Sequence, residues 1–221
     1  AFDEDMHIAV VGGKRVRIRL ADDLKEERSH SVSLSADLYH NFGRVQTNLL
    51  VEGFYTILDD VFALRDLEDT DDGGKIKERY NGSGAAVRGF NVEGRAIFTR
   101  WFELQAGVTL QQSRYKEPEQ WSEDADVPPV RRMFRTPDAY GYFTASFKPV
   151  RNFTADLTGT CTGSMLVQHM AGSGVAQDAA VSTPSFFDMN VRLSYDLRIY
   201  KEITLQLYGG VQNLFNAYQK D

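Results

Sequence analysis

Hydrophobic and polar residues alternate with a period of two along most of the chain. In "WFELQAGVTLQQS" and "SFFDMNVRLSYDL", residues 101–113 and 185–197, every second residue from Phe102 to Leu110 and from Phe187 to Leu197 is apolar, and most of the intervening residues are polar or small. Because alternate residues of a strand point to opposite faces of a sheet, the pattern predicts strands with one apolar and one polar side. Helical spacing does not occur over a comparable length, so the sequence predicts an all-β fold.

The joins between the predicted strands alternate between short and long. The period-two segments predict eight strands, near 30–41, 45–61, 87–99, 102–113, 139–148, 153–163, 185–198 and 203–212, and a further strand before residue 12 is compatible with the pattern. Tight turns are expected at 41–44, 99–101, 148–152 and 198–202, and long polar loops at 62–86, 114–137 and 164–184. An antiparallel sheet with one edge of short turns and one edge of long loops is typical of outer-membrane barrels, whose short turns face the periplasm.

Strand length separates a membrane barrel from the soluble alternatives. A soluble β-sandwich or a lipocalin-like barrel would also show alternation, because each has one dry face. Soluble strands are mostly about five or six residues long, whereas a tilted strand that crosses a bilayer needs roughly 9–11 residues. Aromatic residues such as Trp101, Tyr115 and Tyr200 lie near predicted strand ends, as in the interfacial belts of membrane proteins. Strand length and loop asymmetry together favour the membrane barrel.

Composition excludes several classes of protein. The chain has 221 residues and a net charge of -6, which argues against a nucleic-acid partner because a phosphate backbone requires a basic surface. Its one cysteine, Cys161, rules out an internal disulfide framework and is expected to be a small packed side chain. No run of about 18 apolar residues is present, so a transmembrane helix is excluded and a transmembrane strand is not.

The sequence shows no catalytic constellation. Its four histidines, His7, His30, His40 and His169, are scattered, and there is no G-x-S-x-G, H-E-x-x-H or P-loop motif. The interpretation is therefore a protein that is not an enzyme and uses no cofactor.

Several segments together resemble the C-terminal half of the barrel of TonB-dependent outer-membrane receptors. They are "AFDEDMHIAVVGG", "DLKEERSHSVSLSAD", "RTPDAYGYFTASFKP", "TGSMLVQH", "TPSFFDMNVRLSYDL" and "GGVQNLFNAYQ", the last of which is similar to the family's V-x-N-L-F-[ND]. The resemblance implies a 22-stranded barrel in the outer membrane of a Gram-negative bacterium, in contact with lipid and lipopolysaccharide. It also implies an N-terminal plug domain and a segment that recruits the inner-membrane TonB energising complex. The implied function is uptake of a scarce nutrient complex such as a ferric siderophore, haem or cobalamin.

The resemblance further implies that residues 1–221 are a C-terminal portion of such a barrel, without the plug and the final strand. In the family, one more loop and one more strand follow the segment similar to "NLFNAYQ". The alternative interpretation is a free-standing eight-stranded barrel that acts as an adhesin or structural anchor, which pairing of the first and last strands would support. An outer-membrane hydrolase is a third class, and the lack of a Ser/His or paired-carboxylate constellation argues against it.

The second long loop contains the first candidate ligand contacts. Arg131 and Arg132 lie close to Trp121, in "QWSEDADVPPVRRMF". Guanidinium groups match the carboxylates or catecholates of an anionic ferric chelate, and an aromatic ring could stack on a bulky ligand. Counter-ions for lipopolysaccharide phosphates or for carboxylates of the lumen are the alternative role of these arginines.

Two other loops contain candidate metal or chelate contacts. His169 and Met170, in "SMLVQHMAG", offer imidazole and thioether groups that could contact haem or a copper or zinc complex, although no second histidine lies nearby. Asp69, Asp71 and Asp72 belong to the acidic segment "DLEDTDDGG" and could bind calcium through carboxylate oxygens. Because the spacing misses the EF-hand pattern, a solvated acidic loop is the preferred interpretation of that segment.

Overall fold

The computed structural model describes residues 8–11, 14–69, 75–122, 124, 126–172 and 175–218. All regular secondary structure in these residues is β-strand, which confirms the predicted fold class. No helix long and apolar enough to span a membrane is found among them.

The described residues form fifteen strands. Their bounds are β1 Ile8–Val11, β2 Lys14–Leu20, β3 Arg28–Phe42, β4 Val45–Asp59, β5 Phe62–Asp69, β6 Lys75–Asn81, β7 Ala85–Thr99, β8 Phe102–Glu119, β9 Val130–Arg132, β10 Ala139–Phe147, β11 Phe153–Thr162, β12 Leu166–His169, β13 Ala179–Ser182, β14 Phe186–Tyr200 and β15 Ile203–Val211. The eight predicted strands correspond to β3, β4, β7, β8, β10, β11, β14 and β15.

Those eight strands form one antiparallel sheet in chain order, from β3 at one end to β15 at the other, and β9 pairs with β8 off this path. Short turns at 43–44, 100–101, 148–152 and 201–202 alternate with three long connections, which confirms the predicted alternation. The long connections differ from simple polar loops because they contain β5 and β6, β9, and β12 and β13. Strand β8 also extends to Glu119, six residues beyond its predicted end.

By compactness the chain divides into two units, which are described separately. Unit 1 comprises residues 1–31, 56–87 and 114–132, and unit 2 comprises residues 32–55, 88–113 and 133–221.

Unit 1 contains a four-stranded sheet in the order β1-β2-β6-β5. Strand β2 was not predicted, although "KRVRIRL" alternates apolar and basic residues. It pairs in parallel with β6, from Val16 opposite Lys75 to Leu20 opposite Arg79, and so joins segments distant in sequence. Asn81 fixes the segment after β2, since its amide accepts from Lys25 N at 2.7 Å and donates to Lys25 O at 3.0 Å.

Unit 2 contains most of the long sheet, with a continuous register from β8 through β10, β11 and β14 to β15. Ser146 of β10, for example, lies opposite Glu103 on one side and Asp156 on the other, and Asp156 lies opposite Arg192. The alternation predicted from the sequence is therefore kept in step across neighbouring strands, so each face of the sheet has one chemical character.

The sheet is open in the described residues. Strands β3 and β15 lie at its opposite ends and every residue of both strands is exposed. A free-standing eight-stranded barrel would require these two strands to pair, and the observed order does not contain that pair.

Candidate functional site

One face of the sheet in unit 2, the apolar face, is not covered by a second layer in the described part of the chain. Val108, Phe187 and Leu193 belong to this face and are 43%, 41% and 46% exposed. Ala145 is the only unit 2 residue among the buried apolar side chains of the described residues. A soluble β-sandwich packs such a face against another sheet, so the uncovered face indicates contact with lipid or another apolar surface.

Cys161 belongs to the same face, opposite Gly141 and Phe187. The thiol is free and the residue is exposed, so the prediction of a packed side chain is wrong. Alternation placed Cys161 correctly on the apolar face, but the prediction of packing failed because no second layer covers that face in the described residues.

The opposite face of the sheet, the polar face, contains carboxylates that are hydrogen-bonded across neighbouring strands. Arg95 Nε donates to Glu103 Oε1 at 2.6 Å, and Ser146 Oγ donates to Asp156 Oδ1 at 2.6 Å. The same pairing recurs for Glu52 with Asn91 at 3.1 Å and for Asp196 with Gln206 at 2.9 Å. Cross-strand pairs of this kind stabilise a sheet and allow it to present charge to water.

Neutral polar side chains fill the positions between these carboxylates. Gln105 Nε2 donates to Tyr142 Oη at 3.1 Å, and Thr109 Oγ1 donates to Asn91 Oδ1 at 2.8 Å. The polar face is therefore a connected array of donors and acceptors, suited to a hydrated wall or to a polar ligand or protein segment lying against it.

Arg192 of this face has no carboxylate partner within ion-pair distance among the described residues. Its guanidinium lies over the Tyr208 ring, 4.6 Å from the centroid, and a cavity beside it is lined by Asp156 and Asn190. A guanidinium stacked on an aromatic ring remains able to donate to a carboxylate or phosphate. The sequence placed Arg192 on the polar face, but the stack with Tyr208 depends on strand register and was not predicted.

The loop arginines predicted as ligand contacts lie in unit 1. Arg131 and Arg132 belong to β9, where Arg132 lies opposite Arg114 of β8. Arg131 is exposed, with its Nη2 3.6 Å from Glu117 Oε2. Trp121 lies in the same unit and is partly exposed. Arg131 therefore lies beside an acidic residue that weakens its attraction for an anion.

His169 and Met170 lie in unit 2. His169 ends β12, opposite Ala179 of β13, and Met170 is 45% exposed. The first strand residue of β12, Leu166, accepts a hydrogen bond from Arg135 N at 2.8 Å. The two predicted sets of contacts thus fall in different units of the chain.

Among the described residues, no group of three or more His, Cys, Asp or Glu side chains converges as metal ligands would. Asp71 and Asp72 lie outside the described residues, and Asp69 is the last residue of β5, opposite Lys75. The acidic segment therefore stays a candidate from sequence alone.

Unit 1 contains an ionic cluster that the sequence did not indicate. Arg65 Nε donates to Glu78 Oε2 at 2.8 Å, and its guanidinium lies 4.8 Å from the centroid of the Tyr80 ring. Burial raises the pKa of Glu119, and burial followed by the charge of Glu119 raises the pKa of Tyr80. Beside the cluster's strands, a cavity of about 430 Å³ is lined by Leu20, Leu24, Lys25, Glu26, Glu27, Phe62 and Arg79.

Comparison with known proteins gives a family match over almost the whole chain. The sequence model described as "TonB dependent receptor-like, beta-barrel" matches residues 8–214. No curated protein sequence matches the chain.

Solved structures resemble the chain in fold. The ferric-catecholate import receptor Fiu from K12 E. coli is 18% identical with a TM-score of 0.58, covering 88% of this chain and 24% of that one. A mutant of the ferric enterobactin receptor PfeA from Pseudomonas aeruginosa is 16% identical with a TM-score of 0.61, covering 94% and 29%. The copper transporter OprC is 14% identical with a TM-score of 0.58, covering 88% and 26%. The chain therefore spans between 24% and 29% of the length of these three proteins.

Proposed function

The chain belongs to the TonB-dependent receptor β-barrel family, and on that premise we propose that it forms part of the barrel wall of an outer-membrane uptake receptor. Receptors of this family are transporters rather than enzymes. The receptor would lie in the outer membrane of a Gram-negative bacterium, with its strands crossing the membrane several times. It would import a scarce nutrient complex, with a ferric siderophore as the leading substrate and haem and cobalamin after it.

The observation that carries this proposal is the uncovered apolar face behind a hydrogen-bonded polar face. Exposed Val108, Phe187 and Leu193 suit the hydrocarbon of a bilayer, and the paired carboxylates suit a hydrated interior. Transmembrane barrels alternate lipid-facing and lumen-facing residues in this manner, so the two faces support a wall between lipid and water.

In the proposed mechanism the strands form the barrel wall, and the long connections together with the polar face contact the substrate. Arg131 and Arg132 would supply positive charge to an anionic ferric chelate, and His169 and Met170 would supply softer contacts. Movement of the substrate would be driven by the TonB energising complex acting through regions of the receptor outside residues 1–221.

The structural neighbours support a metal complex as the substrate class and do not select one. Two of the three carry names that specify iron chelates and the third is named for copper. At identities below 25% their likeness concerns the fold and does not identify the substrate. The ferric siderophore is favoured instead by the arginines of β9 and by the exposed cation Arg192, which would attract an anionic chelate.

Uptake by the complete receptor tests this proposal. A strain that lacks the receptor would be complemented with the full-length protein, and entry of labelled ferric catecholate, ferric hydroxamate, haem, cobalamin and copper would be measured. We expect iron-chelate uptake that disappears when the energising complex is inactivated. Uptake equal to that of the receptor-free strain for all five substrates would refute the assignment.

A further inference from the structure

The short-turn edge, defined as residues 43–44, 100–101, 148–152 and 201–202, is strongly basic. It contains Arg44, Arg100, Lys148, Arg151 and Lys201 but only one acidic residue, Glu202. The whole chain carries a net charge of -6. The positive charge is therefore concentrated at one edge of a sheet that belongs to an acidic protein.

These five cations are exposed and available. Within the part of the chain that the structure describes, none of them lies within 4.0 Å of a carboxylate oxygen. Lys201 Nζ lies 5.4 Å from the centroid of the Tyr200 ring, a contact that leaves its charge uncompensated. Unpaired basic groups grouped along one edge attract an anionic surface.

Three of the cations line one cavity of about 750 Å³. Arg100, Lys148 and Arg151 contribute to it together with Trp101, and Asp196 is the acidic residue of the lining. Asp196 Oδ1 already accepts from Gln206 at 2.9 Å. The turns are held by the bond from Lys148 N to Trp101 O at 2.8 Å, which joins the two basic turns directly.

Aromatic and apolar side chains lie next to these cations. Phe102 stacks on Phe98 and on Phe147, with centroids 5.3 and 4.7 Å apart, and Trp101 lies 6.1 Å from Phe102. Val150, inside the basic turn, is 62% exposed. Phe102 and Phe147 are register partners of the apolar face, so the lipid-compatible surface leads directly into the basic turns.

We propose that the short-turn edge binds the phosphate headgroups of anionic phospholipids, with Arg100, Lys148 and Arg151 as the main contacts. The guanidinium groups form paired hydrogen bonds to phosphate oxygens, and the ammonium group adds a point charge. Acyl chains of the same lipids cover Phe98, Phe102 and Phe147. The apolar surface and the cationic rim together are complementary to an amphiphile with a negative headgroup. A soluble anion would match only the cationic rim.

This inference requires that the sheet spans a bilayer and is independent of which substrate the receptor carries. Loss of lipid preference and loss of uptake are separate measurements, so either proposal can fail alone.

The test measures the lipids that the complete receptor retains. Full-length receptor would be reconstituted with equal amounts of phosphatidylglycerol and phosphatidylethanolamine, and the bound lipids counted by native mass spectrometry. We expect a preference for phosphatidylglycerol that falls about fivefold with each of the single variants Arg100→Gln, Lys148→Gln and Arg151→Gln, since each basic residue near a membrane surface contributes a similar increment.

A matched control removes equal charge elsewhere in unit 2. The control variants are Arg88→Gln and Arg135→Gln, which lie outside the short-turn edge and should leave the preference unchanged. Arg100→Lys and Arg151→Lys retain the charge and should retain most of the preference, which keeps the test decisive if a glutamine variant fails to fold. An unchanged preference in the Arg100, Lys148 and Arg151 variants would overturn the proposal. Displacement of the lipid by millimolar glycerol phosphate would also overturn it, because the site would then recognise a free anion.

Discussion

Asn213 and Asn216 form a matched pair whose substitution tests how the "NLFNA" segment after β15 is held. Both residues have left-handed backbone conformations, with φ of 51° and 48°. The Asn213 side chain forms two hydrogen bonds to one residue, accepting from Ala217 N at 2.7 Å and donating to Ala217 O at 2.8 Å. The described residues show no side-chain hydrogen bond for Asn216, whose backbone N donates to Asn213 O at 2.9 Å.

Glycine at either position keeps the backbone conformation without strain, because it has no Cβ to oppose a positive φ. Asn213→Gly therefore removes only the two side-chain hydrogen bonds, each of which contributes about 0.5–1.5 kcal/mol. Since the site is partly exposed and water replaces part of each bond, we expect a loss of about 1–2 kcal/mol. Asn216→Gly removes no such bond, and we expect a change of only a few tenths of a kcal/mol.

Hydrogen exchange of the peptide 211–218 in the complete receptor measures this difference. A loss of about 1–2 kcal/mol corresponds to a 5–30-fold increase in local opening, so the Ala217 amide should exchange faster by that factor in Asn213→Gly. Asn213→Asp keeps the acceptor for that amide and should show a smaller increase. Equal exchange of the Ala217 amide in the Asn213→Gly and Asn216→Gly proteins would show that the two hydrogen bonds of the Asn213 side chain do not order this segment.

Three further predictions follow from other parts of the chain. Leu157→Arg, on the apolar face, should lower the stability of the receptor by about 2–4 kcal/mol, which is measured as a smaller folded fraction in heat-modifiable gel mobility. The adjacent variant Thr158→Arg, on the polar face, should be tolerated. Equal losses of stability in the two variants would contradict the assignment of faces. Burial raises the pKa of Glu119 above its unfolded value, so its stabilising contribution is complete below the unfolded pKa and is lost as pH rises through the folded pKa. Hydrogen-exchange protection of residues 114–132 should therefore decline as the pH rises through the folded pKa of Glu119, and Glu119→Gln should remove this decline. A decline that persists in the variant would exclude Glu119 as its source. Arg131→Ala and Arg132→Ala should each weaken binding of an anionic ferric chelate about tenfold by calorimetry, with no change for a neutral ligand; equal weakening for both ligands would indicate a purely structural role.

The strands and faces of the long sheet were predictable from the sequence for a local physical reason. A period of two in side-chain polarity is fixed by strand geometry, and segments such as 102–111 and 187–197 keep it for ten residues or more. The short turns were predictable because they interrupt that period briefly. The strands inside the long connections, β5, β6, β9, β12 and β13, were missed because none is longer than eight residues. Strand β2, which precedes β3, was missed because it is short and pairs with β6, which is distant in the chain.

The candidate contacts were less predictable because a loop sequence does not determine which side chains meet. The sequence grouped Arg131 and Arg132 with Trp121, and all three lie in unit 1, but it did not indicate the neighbouring Glu117 or the stack of Arg192 on Tyr208. Cys161 illustrates the same limit, since alternation determined its face and gave no information on whether that face was covered.

By itself the sequence determined an all-β chain of long antiparallel strands, each with one apolar and one polar face. It also determined that short turns alternate with long connections between these strands. Those properties follow from periodicity and turn chemistry, which act between residues close in sequence. Only the tertiary structure decided the register that pairs Glu52 with Asn91 and Gln105 with Tyr142, the parallel contact of β2 with β6, and the collection of Arg100, Lys148 and Arg151 around one cavity. These arrangements depend on contacts between segments distant in the chain, and local pattern does not specify such contacts.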